Sequence, residues 1–247
     1  MAKSFQKNQN GVAHILLALL IVVVLAAVGL VAWKVNNNSS GPATGIDKVT
    51  QDKCMAEVND KQLCKFAGAF ANVTNFKVAG TNTDSTGATS SLDLSYDSKG
   101  NSSMVVKQSG QEAGSVVVYS GVTYVKDPTD NQWFKFAADD KNAPQGLDLK
   151  KEFAKADFKN DTGQKLTYKN LGTEKCGDLN CYKYQETDPA KTTETTYLYI
   201  DTKESLLRRV TTSDSSDKTS TDFSVSYGAV TISLPSPTKD VPAATAQ

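Results

Sequence analysis

The stretch that most constrains this chain is Ile15–Trp33, ILLALLIVVVLAAVGLVAW, a run with no charge, no proline and Gly29 as its one glycine. A bilayer core about 30 Å thick needs roughly 20 apolar residues at about 1.5 Å rise each. The run meets that length and predicts a single transmembrane helix over residues 14–34. Lys3 and Lys7 precede it with no acidic residue among them, and after Lys34 the chain stays uncharged from Val35 to Gly45. That bias predicts residues 1–13 in the cytoplasm and everything after the span outside, with Trp33 and Lys34 anchored at the outer interface.

Other readings of the run fit less well. A cleaved signal peptide has an apolar region of about 7–15 residues and a small-x-small exit, whereas this run is longer and ends Leu30-Val31-Ala32-Trp33. A lipoprotein needs a cysteine directly after the apolar region, and the first cysteine here is Cys54. Gly11 before the run resembles a prepilin leader, but Leu16 stands where that pattern wants a glutamate. A buried helix of a soluble core is disfavoured, because so long an all-apolar surface needs a large apolar cover. The sole histidine, His14, lies at the cytoplasmic edge of the span and reads as an interfacial residue rather than a ligand. The expected location is therefore the cell membrane, single-pass, with an extracytoplasmic C-terminal domain.

Charge matters once the anchor is set aside. The whole chain carries 27 basic and 27 acidic residues, and removing Lys3, Lys7 and Lys34 leaves a net of −3. This argues against nucleic acid as a partner, which would call for a basic stripe. Four cysteines, Cys54, Cys64, Cys176 and Cys181, in a segment expected outside the cytoplasm suggest two disulfides, for which three pairings exist. Spacing favours the local pairs over crossed ones. Cys176 and Cys181 enclose the turn-rich Gly177-Asp178-Leu179-Asn180. Cys54 and Cys64 would lie ~15 Å apart in one unbroken helix, so their pairing requires a break, which Asn59-Asp60 offers with Asp60 as N-cap. A four-cysteine zinc site lacks the duplicated short C-x₂₋₄-C spacing.

Residues 35–47 form a polar linker punctuated by Gly41 and Pro42. From Val49 to Ala71, Met55, Val58, Leu63, Phe66 and Phe70 fall at helical spacing. Beyond Asn75 the period drops to two. Leu92, Leu94 and Tyr96 alternate with polar residues; Ser120-Gly121 joins two Val-rich runs as a hairpin; Asp127–Asn131 turns the chain into Gln132–Phe136. On that alternation Phe134 and Phe136 share one face, with Trp133 on the other. Pro144–Phe158 predicts a short amphipathic helix capped by Asp148 and carrying Leu149 and Phe153. Strand patterns resume at Lys165–Asn170, Tyr182–Tyr184, Thr195–Ile200, Leu206–Thr212 and Phe223–Tyr227. Val230, Ile232 and Leu234 close the pattern, and residues 236–247 are expected to be a disordered tail.

The expected class is therefore mainly β (α+β): about eleven antiparallel strands and two helical regions in one domain over residues 48–235. Two short helical regions cannot cover the apolar face of eleven strands unless the sheet curls around them; a closed barrel or two packed sheets would also solve the problem.

In this order of elements, and in the phrases VTYVKDPTDNQWFKF, TYLYIDTKESLLRRV and DFSVSYGAVTISLP, the chain resembles the lipoprotein-carrier superfamily of LolA-like sorting proteins and LppX/LprG-type lipoproteins over about Lys48–Pro235. The resemblance implies a strongly curved half-barrel sheet wrapped on one or two helices, with acyl chains held against its concave face. It makes candidate lining residues of Phe66 and Phe70 on the first helical region and Leu149 and Phe153 on the second. On the strands the candidates are Leu92, Leu94 and Tyr96, then Val122, Tyr124, Phe134 and Phe136, and late in the chain Phe223 and Val225. The chain departs from this family in having an apolar anchor instead of a lipobox or cleaved signal, and in its four cysteines.

Two functions compete. One is an anchored binding module for a lipid or an acylated ligand; the other is a sensory or protein-interaction ectodomain that uses the same fold without a lipid. Catalysis finds little support: nucleophile–histidine chemistry has no histidine beyond the membrane edge, and Asp93, Asp97, Asp139 and Asp140 read as solvated acids. Asp127-Pro128-Thr129-Asp130-Asn131 lacks the spaced ligands and distal glutamate of a calcium loop. No cofactor is expected.

Overall fold

The computed structural model describes residues 45–127, 130–136, 158, 160 and 162–240. The apolar run at 15–33, and Leu149 and Phe153 of the predicted second helix, lie outside these residues. Among the described residues no helix is long and apolar enough to cross a membrane.

The described residues begin with a helical hairpin, α1 (Lys48–Glu57) and α2 (Lys61–Phe70). Asp47 caps α1 by accepting the Thr50 N–H, and Asp60 caps α2 by accepting from Gln62 and Leu63. Between them Asn59 adopts φ 57°, in the left-handed region that Asn tolerates best after Gly. The break lets Cys54 and Cys64 approach to a Cα–Cα separation of 5.3 Å and form a disulfide. Cys176 and Cys181 form the second, at 5.9 Å, across a turn at Gly177-Asp178.

Twelve strands follow. They are β1 (Phe76–Thr83), β2 (Thr89–Tyr96), β3 (Ser102–Gln108), β4 (Gln111–Tyr119), β5 (Val122–Lys126) and β6 (Trp133–Lys135), then β7 (Thr167–Cys176), β8 (Leu179–Thr187), β9 (Glu194–Asp201), β10 (Leu207–Asp214), β11 (Thr219–Tyr227) and β12 (Thr238–Asp240). They form one open sheet in the order β12-β6-β5-β4-β3-β2-β1-β11-β10-β9-β8-β7, so the first and last halves of the chain meet at β1 and β11. Tight turns keep neighbours in register; at the β4–β5 hairpin Ser120 and Gly121 both have positive φ, 51° and 79°.

Three sequence expectations are corrected. Val230–Leu234 is not a strand; Ile232 instead buries its side chain against Val117 and Tyr124. The tail expected to be disordered from 236 carries β12, whose approach begins where the Trp133 N–H donates to the Pro237 carbonyl. Finally, β12 pairs with β6 in parallel, so the sheet is not wholly antiparallel. Lys239 fastens this edge. Its ammonium donates to Asp127 at 2.7 Å and Asp130 at 2.6 Å and stands 4.3 Å from the centre of the Phe134 ring. The turn that superficially suggested calcium thus places two carboxylates around a lysine.

Candidate functional site

Alternation divides the sheet into an inner face, covered by the α1–α2 hairpin, and an outer face. The inner face is built in cross-strand rows. One row runs Tyr184, Leu198, Val210, Phe223, Gly80, Leu92, Val106 across β8-β9-β10-β11-β1-β2-β3. Every side chain in it is buried and belongs to the main core, which also takes Leu63, Phe66 and Phe70 from α2. Gly80 occupies the tightest point: a Cβ there would meet the Asp222 carbonyl oxygen at 2.0 Å. Phe66, Phe70, Phe76 and Tyr96 form a chain of ring contacts, with centroids 5.9, 6.2 and 5.5 Å apart in turn. The Tyr184 hydroxyl ties sheet to hairpin by donating to Asp60 Oδ1 at 2.8 Å. Burial, with the Asp60 carboxylate adding to it, pushes the Tyr184 hydroxyl well above the ordinary tyrosine range.

Of the candidate lining residues, Phe66, Phe70, Leu92, Leu94, Tyr96, Phe223 and Val225 meet in this core, from 1% to 6% exposed. They pack on one another. Phe134 and Phe136 are half-buried, Phe134 under Lys239 at the β6–β12 edge. Val122 and Tyr124 are elsewhere. The register places Tyr124 opposite Val117 and Val122 opposite Tyr119, while Val116, the next residue in the alternation, packs on the inner core. Val122 and Tyr124 therefore lie on the outer face, in a second cluster with Val117, Trp133, Val230 and Ile232. Their strand, VTYVK, offers apolar residues in both frames, so period two could not choose the face.

One step along the strands the inner face changes character. The next row is Tyr168, Glu186, Thr196, Thr212, Thr221, Asn82, Ser90, Gln108, across β7-β8-β9-β10-β11-β1-β2-β3. All eight side chains are polar or phenolic. Glu186 is only 7% exposed, Thr196 5%, Thr212 8% and Thr221 7%. Thr196 and Thr212 satisfy each other at 3.1 Å. Tyr168 Oη, Glu186 Oε2 and Thr221 Oγ1 are buried without a close hydrogen bond among the described residues, although the Tyr168 hydroxyl faces the Glu186 carboxyl and interacts with it. Burial pushes the Glu186 carboxyl up to about 8; the Tyr168 hydroxyl opposes this by hydrogen bonding to the carboxylate, and the charges of Glu194 and Asp188 add to the rise, so the group is mostly protonated at neutral pH. Burial likewise holds the Tyr168 hydroxyl well above its usual range, with the charge of Glu186 adding. Sequence reasoning passed over this row. The signal was present: Tyr182, Tyr184 and Glu186 share one frame of β8, which placed a carboxyl in line with the core.

Over β7–β11 the outer face is polar and internally paired. Arg209 forms a two-point contact with Asp222 at 2.8 and 2.6 Å and stands over Tyr199, while Lys183 stands over Tyr197 and donates to Glu174 at 3.1 Å. A shallow hollow of about 280 Å³ there is lined mainly by hydroxyl side chains, among them Thr81, Tyr197 and Thr211. Asp93 is paired loosely with Lys107 at 3.9 Å, whereas Asp97 spends its carboxylate on the turn N–H groups of Lys99 and Asn101 and the Asn101 side chain. Asp139 and Asp140 lie outside the described residues. Among the described residues no group of three or more His, Cys, Asp or Glu side chains is placed to hold a metal.

The geometry defines a class: an open, mainly β half-barrel carrying a disulfide-stapled helical hairpin on its inner face. No family model matches the chain, and no curated protein does. Among solved structures it is similar to the lipoprotein LppX of Mycobacterium tuberculosis, with a TM-score of 0.46 and 15% identity over 76% of this chain and 100% of that one. A LolA-superfamily protein of Nitrosomonas europaea matches with a TM-score of 0.27 and 12% identity over 74% of this chain and 92% of that one. The Pseudomonas aeruginosa MucA/MucB complex matches with a TM-score of 0.38 and 14% identity, over 64% of this chain and 53% of that one.

Proposed function

We propose that this chain is a membrane-tethered extracytoplasmic binding module that holds an acyl chain against the inner face of its sheet. The observation that carries the reading is a mismatch of areas. Twelve strands in one sheet span roughly 50 Å at about 4.8 Å per spacing, whereas each ten-residue helix is about 15 Å long and about 10 Å wide. Among the described residues this hairpin is the helical cover of the inner face, and it is smaller than the face. Burial of hydrocarbon contributes roughly 0.8 kcal/mol per CH₂, so a flank of modest size is enough to hold one chain. The run at 15–33 would be the anchor and residues 35–47 the leash, which keeps any exchange of ligand within linker reach of the bilayer. The module binds rather than catalyses, since its only histidine is His14.

A second reading is favoured by one observation. The core under the hairpin is closed to solvent, with Phe66 1% and Phe76 3% exposed, as expected of an interaction ectodomain that takes no lipid. The two separate in native mass spectrometry of the full-length chain released gently from membranes. The acyl-binding reading expects a bound lipid adduct. A bare protein mass, together with recovery of one specific protein by crosslinking in cells, would replace it with the second reading.

A further inference from the structure

Residues 228–237 take a long route. They leave β11, in the middle of the sheet, and deliver β12 to the edge beyond β6. On the way Ile232 is buried against Val117 and Tyr124, so the segment is a strap across the outer face. From β11 to β12 is seven strand spacings, roughly 34 Å at about 4.8 Å each. The eleven steps from Tyr227 to Thr238 reach at most about 40 Å at full extension. The strap is therefore close to taut, and a chain held so straight regains conformational entropy when its end lets go.

What holds that end is small. β12 pairs with β6 over three residues, in parallel, at the rim of the sheet. Just before it the Trp133 N–H donates to the Pro237 carbonyl. Lys239 adds ion pairs to Asp127 and Asp130, which are partly exposed and individually weak. The same lysine couples the end of the strap to the other face. Its register partner Phe134 ends an inner-face row that runs Leu94, Met104, Val116, Val125, Phe134 across β2–β6. Leu94 and Met104 are sealed in the core, whereas Val116, Val125 and Phe134 are only half-buried among the described residues. The row thus opens toward the β6 edge. The Lys239 ammonium, 4.3 Å from the centre of the Phe134 ring, stands at its mouth.

We infer that β12 and Lys239 form a latch on the inner face: closed, they cover the mouth of this row, and open, they admit an acyl chain along Phe134, Val125 and Val116. This rests on the acyl-binding reading above and adds where the chain enters. Entry at the β6 edge leaves the hairpin undisturbed, with Phe66 and Phe70 still sealed beneath it. Opening gives up a three-residue ladder and weak ion pairs, the kind of local release that sheet edges undergo at low cost. Burial of hydrocarbon on the half-buried row offsets that loss.

The test uses the full-length chain reconstituted in vesicles of phosphatidylcholine whose acyl chain carries a diazirine, with the photolabel mapped by peptide. Lys239→Ala removes the ammonium and the stem that lie over Phe134. It is expected to raise labelling of the peptides that hold Val116, Val125 and Phe134 about fivefold, the scale of losing weak ion pairs. The double variant Lys135→Cys/Asp240→Cys joins two register partners by a disulfide, on the side of β6 and β12 away from Phe134, and holds the latch shut. Its labelling of those peptides is expected to fall below wild type, and each single substitution is expected to restore it. Row labelling equal in wild type, Lys239→Ala and the locked variant would overturn the latch and leave acyl binding standing. So would row labelling that falls in Lys239→Ala, since the lysine would then be part of the wall. No labelling of any inner-face peptide in any of the three proteins would overturn both.

Discussion

Two adjacent rows of the inner face, one residue pair apart along the strands, behave differently. In the first, Tyr184, Leu198, Val210 and Phe223 are sealed between sheet and hairpin, and the one polar atom, the Tyr184 hydroxyl, is spoken for by Asp60. In the second, Glu186, Thr196, Thr212 and Thr221 are nearly as buried, yet Glu186 Oε2, Tyr168 Oη and Thr221 Oγ1 make no close hydrogen bond among the described residues, the first two meeting only each other. The same alternation and the same register make both rows. The difference teaches that burial and satisfaction are separate properties. The first row makes the fold stable, and the second is a place where stability was given up.

That contrast can be broken at its stable side first. Phe66→Ala empties the centre of the packed row's cover and is expected to cost about 3–5 kcal/mol, a large part of the ~5–15 kcal/mol typical of a domain; urea unfolding of the full chain checks it. Gly80→Ala is expected to cost about 3 kcal/mol by the same measurement, because its methyl would collide with β11 backbone and the sheet cannot give way locally.

The polar side is sharpened by pH. The folded chain holds a proton on Glu186 between the ordinary value of 4.5 and about 8, whereas the unfolded chain has released it. Stability is therefore complete below about 4.5 and falls as pH rises toward 8, by roughly 1.4 kcal/mol per unit from this group. Glu186→Gln should flatten that slope; an unchanged slope would mean the carboxyl is not buried in solution. Asp201 contributes the opposite sign at more acid pH. Burial raises its carboxyl, but the Lys203 and Glu204 N–H groups and Arg208 outweigh this and hold it below the ordinary value, so its contribution is lost only as pH falls below about 4. The smallest effect serves as a control: Asp93→Ala on the outer face, with its exposed 3.9 Å pair to Lys107, should change stability by less than about 0.5 kcal/mol.

Much of this fold was legible locally. The Asn59-Asp60 break, the two local disulfides, the Ser120-Gly121 hairpin and the strand patterns through Phe223–Tyr227 each rest on short-range rules that nothing distant overrides. What escaped depends on distant partners. The face of Val122 and Tyr124 was set by pairing with β4 and by Ile232 more than a hundred residues on. The strand at Thr238–Asp240 exists because β6 presents an edge for it, with Lys239 reaching two aspartates from the earlier turn. The polar row was legible in part, since Glu186 falls in the core frame of β8. Its continuity through Thr196, Thr212 and Thr221 appears only once the register joins five strands.

The most direct test of this account is peptide-resolved hydrogen exchange of the full-length chain in phosphatidylcholine vesicles, with and without dioleoylglycerol. Slowed exchange on inner-face strands, with Phe66–Phe76 unchanged, is the expected result. No slowing on any inner-face strand would contradict the acyl-binding reading.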